Sequence, residues 1–443
     1  MTSSLLPQIG KDIEGEFAND NSGWSVSLSA DGSVVAIGAT YNDGNGTDSG
    51  HVRIFKNVDN QWTQLGDDIN GEDANDEFGY SVSLSDDGNV VAVGAHQNST
   101  GSGYVSIYKN VNGNWTKVGS NIEGENNGDN AGRSVSLSSD GSIVAIGALL
   151  AGGEDIGHVR IFKNVNNTWT QIGSDIDGEE TNSFSGRSVS LSSDGSIVAI
   201  GADWNDGNGT DRTDSGHVRI YKNINDTWTQ IGQDIDGENA LDRSGWSVSL
   251  SADGSVVAIG ATYNDGNGTD SGHVRIFKNV DNQWTQLGDD INGEAANDEF
   301  GVSVSLSSDG SLVAIGAFQN DGNGTDSGHV RIYKNVDNNW IQVGHDIDGE
   351  ATQDTFGISV SLSSDGSFVA VGGPKNDENG IDSGHTRVYQ IDTTAPSAPT
   401  SLTTSATTTS DTTPTIIGTA EAGSTVTLYN GSISDNKTIT YNV

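Results

Sequence analysis

The side chains best suited to chemistry in this sequence are oxygen donors set among glycines. The stretch Asn42-Asp43-Gly44-Asn45-Gly46-Thr47-Asp48 returns as Asp265-Gly-Asn267-Gly-Thr-Asp270 and as Asp321-Gly-Asn323-Gly-Thr-Asp326. An extended form opens Asp206-Gly-Asn208, and a variant reads Asp377-Glu-Asn379-Gly-Ile-Asp382. Such loops can wrap a hard cation such as Ca²⁺, which takes about 6–8 oxygens on a flexible backbone. The candidate metal ligands are therefore Asp43, Asn45, Asp48, Asp206, Asn208, Asp265, Asn267, Asp270, Asp321, Asn323, Asp326, Asp377, Asn379 and Asp382. The same residues also close Asx turns on their own backbone. The closing glutamate of an EF-hand and the nonapeptide of calcium β-rolls are both missing. The residues alone leave both readings open.

Aromatic side chains flank these loops. Tyr41, Trp204, Tyr263 and Phe318 stand just before them, while Trp24, Tyr80 and Trp246 open a neighbouring segment. A ring beside Asn and Asp suits the stacking of a sugar and the bonding of its hydroxyls, which makes the first four candidate ligand contacts. Rings of this kind also plug gaps with one polar edge satisfied. Six histidines follow the loops, at 51, 158, 217, 273, 329 and 385. A catalytic base needs a positioned nucleophile, and no Gly-x-Ser-x-Gly elbow surrounds the nearby serines. A histidine repeated in nearly every copy suits a hydrogen bond that locks the loop, so the chain is expected not to be an enzyme.

What positions these residues is a repeat. The segment SVSLS begins at Ser25, Ser81, Ser134, Ser188, Ser247, Ser303 and Ser359, a spacing typical of solenoids, propellers and arrays. Each copy holds four alternating runs, in the first copy Trp24 to Ser29, Val34 to Ala39, His51 to Lys56 and Trp62 to Gly66. Period-2 alternation marks strands, and Asp31-Gly32 between the first two marks a tight turn. Val26, Leu28, Val35 and Ile37 fall on one face, with Ser25, Ser27, Ala36 and Gly38 on the other. A bulky face laid on the small face of the next sheet fills space without voids. The expectation is an all-β, seven-bladed β-propeller.

The termini point to a closed ring. A Trp-Thr-Gln-Leu-Gly strand follows the third strand at Trp62 and recurs in variants through Trp340, but nothing like it follows His385 to Gln390. Its counterpart, Leu6-Pro7-Gln8-Ile9-Gly10, lies at the N-terminus, so that segment is expected to supply the outer strand of the last blade. Gly23 to Glu72 repeats unchanged as Gly245 to Glu294. Two identical blades weigh against a catalytic site, which needs residues that one blade has and the others lack.

Charge limits the partners. Twenty Lys and Arg face 61 Asp and Glu, for a formal charge of −41, which repels nucleic acid and anionic lipid. Glu-x-x-x-Asp pairs such as Glu16 and Asp20 recur between copies, while Lys56, Lys109, Lys163, Lys222, Lys278 and Lys334 lie towards the opposite ends of the strands. One face of the disc should be strongly negative. The lack of cysteine excludes disulfides and thiolate sites. No apolar run is long enough to insert in a membrane.

Composition shifts at residue 392. Residues 1–391 read as the propeller, 392–400 as a Thr, Ser and Pro-rich linker, and 401–443 as an incomplete β domain. The segment Asp411-Thr-Thr-Pro-Thr-Ile-Ile-Gly-Thr-Ala-Glu-Ala-Gly-Ser-Thr-Val-Thr-Leu-Tyr429 resembles the start of a bacterial immunoglobulin-like domain, as strung together in surface adhesins. The tail is therefore expected to be a partial β-sandwich with edges open to self-association. In the repeats, Phe78-Gly79-Tyr80-Ser81-Val82, Val91-Ala92-Val93-Gly94-Ala95 and Gly103-Tyr104-Val105-Ser106-Ile107-Tyr108 resemble the FG-GAP repeats of the integrin α-subunit propeller. That resemblance implies adhesion or ligand recognition. The Asp-rich calcium loop of those repeats has here shrunk to turns such as Ser85-Asp86-Asp87-Gly88, so the family's metal site is not carried over. The expected function is a non-enzymatic binding or adhesion module, extracellular or on the cell surface, with an acidic, Ca²⁺-loaded face that takes a surface glycan or protein. The alternatives are a polysaccharide-acting enzyme and a structural subunit that assembles through its tail.

Overall fold

The computed structural model describes residues 6–99, 101–207 and 213–392, and beyond them the backbone of Thr400–Thr404, Ile416–Thr419, Thr425–Asn430 and Lys437–Asn442. Seven antiparallel sheets carry the seven copies. In blade 1 the strands Ser22–Leu28, Val34–Ala39, His51–Val58 and Gln61–Gln64 lie side by side in chain order.

The register fixes how blades meet. Val26 lies opposite Ile37 and Leu28 opposite Val35, while Ser25 lies opposite Gly38 and Ser27 opposite Ala36. The bulky face packs on Ala370 and Val388 of blade 7, and Ala36 on the small face meets Val82, Leu84, Val91 and Val93 of blade 2. Contact is close enough that a Cβ on Gly38 would collide with the Gly79 carbonyl oxygen, so only glycine fits.

The serines do more than occupy the small face, the role their size suggests. Ser25 Oγ donates to the Gly79 carbonyl of the next blade (2.7 Å), and Ser27 Oγ accepts the N–H of Leu84 (3.0 Å). The pattern continues round to the seam, where Ser359 Oγ bonds Gly23 O (2.8 Å) and Leu28 N–H bonds Ser361 Oγ (2.9 Å). At the turns between first and second strands, backbone N–H groups bond carbonyls in a closed circuit: Ala30 to Asp86, then Ser139, Ser193, Ala252, Ser308, Ser364 and back to Ala30. Seven bonds that return to their start require a complete ring.

Blade 7 is finished by the N-terminus, as its missing strand requires. Ile13 and Glu14 pair with Thr386 and His385, and Gln8 bridges Tyr389. The outer edge differs from the single fourth strand read from the repeat. In blade 1 it consists of Gln61–Gln64 against Phe55–Val58 and a separate piece, Ile69–Asn70, against His51 and Val52. Gly66, at φ +82°, turns the chain outward between them, and Gln64 Nε2 spans the gap to Asp68 Oδ1 at 2.6 Å. Gln8 and Asp12 repeat that bond at 2.6 Å.

In the tail, Thr400–Thr404 pairs with Ile416–Thr419 and Thr425–Asn430 with Lys437–Asn442, both antiparallel. Except for Asp392 and Thr400, the linker read from the sequence lies outside the described residues.

Candidate ligand-binding site

The second-to-third-strand loops lie on the same side as the blade-to-blade loops and are tied to them. Asn45 Nδ2 donates to the carbonyls of Gly71 and Glu72, both at 2.9 Å. Asn267, Asn323 and Asn379 reach Gly293, Gly349 and Gly15 in the same way, at 2.7 to 2.8 Å. Asp43 Oδ1 accepts the N–H of Asp48 at 2.9 Å, and Asp265, Asp321 and Asp377 do the same for Asp270, Asp326 and Asp382. In the longer loop of blade 4, Asp206 Oδ1 accepts from Asp214 at 3.0 Å. Asn208 lies outside the described residues. These are the bonds of Asx turns, and the N–H groups of Gly44 and Asn45 also point at oxygens of Asn42 and Ser49 inside the loop. A cation would meet donors there and would have to sit on the outer, solvent side.

The fold brings other groups together that the loop motif does not reveal. Glu16, His51 and Asp68 converge at one blade junction, and Glu125, His158 and Asp175, Glu179, His217 and Asp234, and Glu238, His273 and Asp290 at others. An arginine already stands in each. Arg53, Arg160, Arg219 and Arg275 lie 3.4 to 3.6 Å from Glu16, Glu125, Glu179 and Glu238, and each donates to a backbone carbonyl of the preceding junction. Blade 2 has Ser106 in place of the arginine, and there Lys117 replaces the usual glutamine and binds Glu72 at 2.6 Å. The positive charge is supplied from a different strand.

The histidines are held differently from the loop-locking hydrogen bond that their repetition suggests. Nδ1 of His158, His217, His273, His329 and His385 lies 3.6 to 4.0 Å from a carboxylate, beyond hydrogen-bond range. Nε2 of His51, His158, His217, His273, His329 and His385 has no partner among the described residues. The rings are buried and act as core; those of His329 and His385 meet Phe300 and Phe356 edge-on.

Blade differences concentrate at the mouth of the central channel. The residue before SVSLS, where the innermost strand starts, is in turn Trp24, Tyr80, Arg133, Arg187, Trp246, Val302 and Ile358. The two residues after the second strand also change, from Thr40-Tyr41 to His96-Gln97, Leu149-Leu150, Asp203-Trp204, Thr262-Tyr263, Phe318-Gln319 and Pro374-Lys375. Trp24 and Tyr80 pack at 5.5 Å, Tyr80 and His96 at 4.0 Å, Trp246 and Tyr263 at 5.9 Å, and Phe184 and Trp204 at 5.2 Å. Arginines lie over three of these rings: Arg133 on Tyr80, Arg187 on Trp246 and Arg243 on Trp204. The scaffold around this mouth matches a known family model, FG-GAP repeat, over residues 16–55, 70–108, 235–277 and 292–333. Four stretches of the chain match the FG-GAP repeat. They make up four of the seven blades by that match, and the other three share the same strand order. A search of curated proteins found no match to the chain.

In this propeller the predicted aromatics sit as follows. Tyr41, Tyr263 and Phe318 are half-buried and Trp204 is 41 % exposed. Tyr263 and Trp204 belong to the packed ring cluster. Beneath them Asp203 is 1 % exposed and neither of its oxygens has a hydrogen bond among the described residues. Burial raises its pKa against the pull of Arg187, Arg243 and Arg133. Burial, then repulsion from Arg187, pushes Arg133 down to about 9, and burial takes His96 down to about 4. Arg133, Arg187, Asp203 and His96 went unnoticed in the repeat pattern. Setting the seven copies under one another at the residue before SVSLS would have exposed the first two.

Proposed function

We propose that this chain is a non-enzymatic binding or adhesion module that works outside the cell and takes its ligand at the channel mouth. One observation carries the reading: seven blades keep the same strands, serine bonds and junction charges, yet differ where the rims of the inner strands meet solvent. Repetition suits a scaffold, and side chains that vary on a rigid scaffold suit recognition. The FG-GAP repeats support adhesion by family likeness, and the two hairpins of the tail support the start of an immunoglobulin-like sandwich through which the module is displayed or self-associates.

The test is binding of the full chain to immobilised surface polysaccharides and matrix proteins. Trp204→Ala and Tyr80→Ala should each weaken capture about tenfold, the scale of a buried aromatic contact, with the melting temperature kept within a few degrees. Loss on Lys56→Ala and Lys278→Ala instead would place the ligand on the opposite face and overturn the proposal.

Calcium takes a subordinate place in it, on the solvent side of the acidic loops. Because each loop is closed by its own hydrogen bonds, the expected result is an unchanged melting temperature in chelator. Ca²⁺ at 100 times its Kd would add about 2.7 kcal/mol per site, so a clear fall in chelator would make the loops metal sites.

A further inference from the structure

We infer that two clefts on the outer rim of the ring, between blades 2 and 3 and between blades 3 and 4, each bind a neutral sugar residue through a pair of adjacent hydroxyls. This is a second site and does not depend on the channel mouth.

An exception among the blades carries it. Along an antiparallel pair of strands, facing residues alternate between pairs that exchange hydrogen bonds and pairs that do not. Ile172 N–H bonds Ile161 O, and Ile231 N–H bonds Ile220 O. Counting back from those bonds, Thr170 and Thr229 bond the third strand, while Trp169 and Trp228 face Asn164 and Asn223 without bonding them. The N–H and C=O of both tryptophans therefore point away from the sheet, onto its outer edge. Trp284 holds the same place in blade 5, and there the edge is already occupied. Gln233, from the outer turn of blade 4, accepts the N–H of Trp284 at Oε1 (3.3 Å) and donates from Nε2 to its carbonyl (2.9 Å). That closure leaves Trp284 only 4 % exposed. Blades 2 and 3 have Ser120 and Ser174 where blade 4 has Gln233. Neither serine makes these bonds, and clefts of about 380 and 320 Å³ stand open beside the half-buried Trp169 and Trp228. Gln233 thus marks the atoms that an external ligand would take up.

The ligand must accept from the N–H and donate to the C=O of one residue, and must lay an apolar surface on an indole. Two adjacent sugar hydroxyls do the first, since each can both donate and accept. The ring that carries them does the second, in a cleft of the size and mixed lining that small ligands use. The walls narrow the choice further. Asp177 and Asp226 flank Trp228, whereas Glu123 and Arg160 flank Trp169, so a neutral body suits both clefts and an ion does not. An extended peptide could make the same two bonds, but Trp228–Gln230 is an edge of three residues and Gly232, at φ +76°, then turns the chain outward. Acidic polymers are repelled by the net charge of −41.

Calorimetric titration of the full chain with glucose, mannose and galactose hexasaccharides and with a hexathreonine peptide tests this. At least one hexasaccharide should bind. The double variant Ser120→Gln with Ser174→Gln copies the closure that blade 5 already has, so it should weaken that sugar at least about tenfold without lowering the melting temperature. Gln233→Ser should open a further cleft and raise the number of sugars bound per chain. Trp204→Ala, at the channel mouth, should change neither result. Binding unmoved by the double variant would overturn the rim sites, and its loss in Trp204→Ala would assign the sugar to the mouth. Tighter binding of hexathreonine than of any sugar, lost in the double variant, would make the clefts peptide-pairing edges and overturn the sugar. No binding of any hexasaccharide would overturn the inference, while the capture test with Trp204→Ala still judges the mouth.

Discussion

Deletion of residues 1–12 should open the ring and lower the melting temperature by on the order of 10 °C, with loss of a single cooperative transition. The segment removed contributes the buried Leu6, worth about 1.5–3 kcal/mol. It also supplies the backbone bonds from Ile9 N–H to Val388 O (2.7 Å) and from Gln390 N–H to Pro7 O (2.9 Å), each worth about 1 kcal/mol. Trp62 Nε1 loses its acceptor, the Ile9 carbonyl at 2.8 Å. Asp12 matters most, because its carboxylate takes Nε and Nη2 of Arg387 at 2.8 and 2.7 Å. Arg387 is 5 % exposed, and removing one partner of such a pair costs about 3–5 kcal/mol, moderated here because Glu350 remains. Together these approach the roughly 5–15 kcal/mol that holds a whole domain. At about 2 °C or less per kcal/mol for a large chain, they give the stated fall. The deletion also bares the edge of the last strand from Arg387 to Gln390, an invitation to pair with another copy, so size-exclusion chromatography should show oligomers. A variant that melts within 2–3 °C of the parent, as a monomer, would mean blade 7 holds without its clasp. Asp12→Asn alone should reproduce roughly half the loss by keeping Leu6 and the strand pairing.

The clasp was legible in the sequence because a missing strand at one end and a spare at the other are the same pattern read twice. The blade faces were legible for a similar reason: Val26 and Leu28 alternate with Ser25 and Ser27, and only one sheet packing buries the former on the latter. What the repeat concealed has two physical sources. One is that a short strand piece needs little sequence of its own, so Ile69–Asn70 pairs with His51 and Val52 without the alternation that would announce it. The other is that averaging seven copies erases the positions where they differ, and the channel mouth consists of those positions. Arg133 and Arg187 give no signal in the repeat until the ring brings them over Tyr80 and Trp246. The acidic loops were ambiguous for a third reason. Asp43 has the same spacing whether its oxygen meets a cation or the N–H of Asp48, and the structure shows the bond to Asp48.

The buried histidines should each cost this propeller stability as pH falls from 6.5 to 4. Burial takes His51, His96, His217 and His273 down to about 4, and His385 to about 3. A neighbouring arginine adds to burial at all of these but His96. In the unfolded chain these imidazoles return to about 6.5. The folded state therefore keeps them neutral while the unfolded state takes up protons, and stability present above pH 6.5 is lost as pH falls towards 4. Carboxylates that burial raises act the other way, among them Glu16, Asp20, Asp76, Glu77, Glu179, Asp203 and Asp242. Burial raises Glu14 and Glu299 to about 7, so the folded state binds their protons first and gains stability as pH falls from 7 towards their ordinary value. Each lowered histidine, His158 and His329 included, steepens the fall by up to about 1.4 kcal/mol per pH unit, and each raised carboxylate flattens it. Denaturant unfolding at a series of pH values measures this slope directly, and His217→Gln and His273→Gln should each flatten it by about one proton. Because the chain's isoelectric point is about 4.1, refolding yield must be checked at each pH so that precipitation is not read as unfolding. A slope unchanged by His217→Gln and His273→Gln would mean the histidines can take a proton in place. The nearby Asp12, Asp175, Asp290 and Asp346, at 3.6 to 4.0 Å, would then be working as their counter-ions, and the blade junctions would be ionic switches rather than sealed packing.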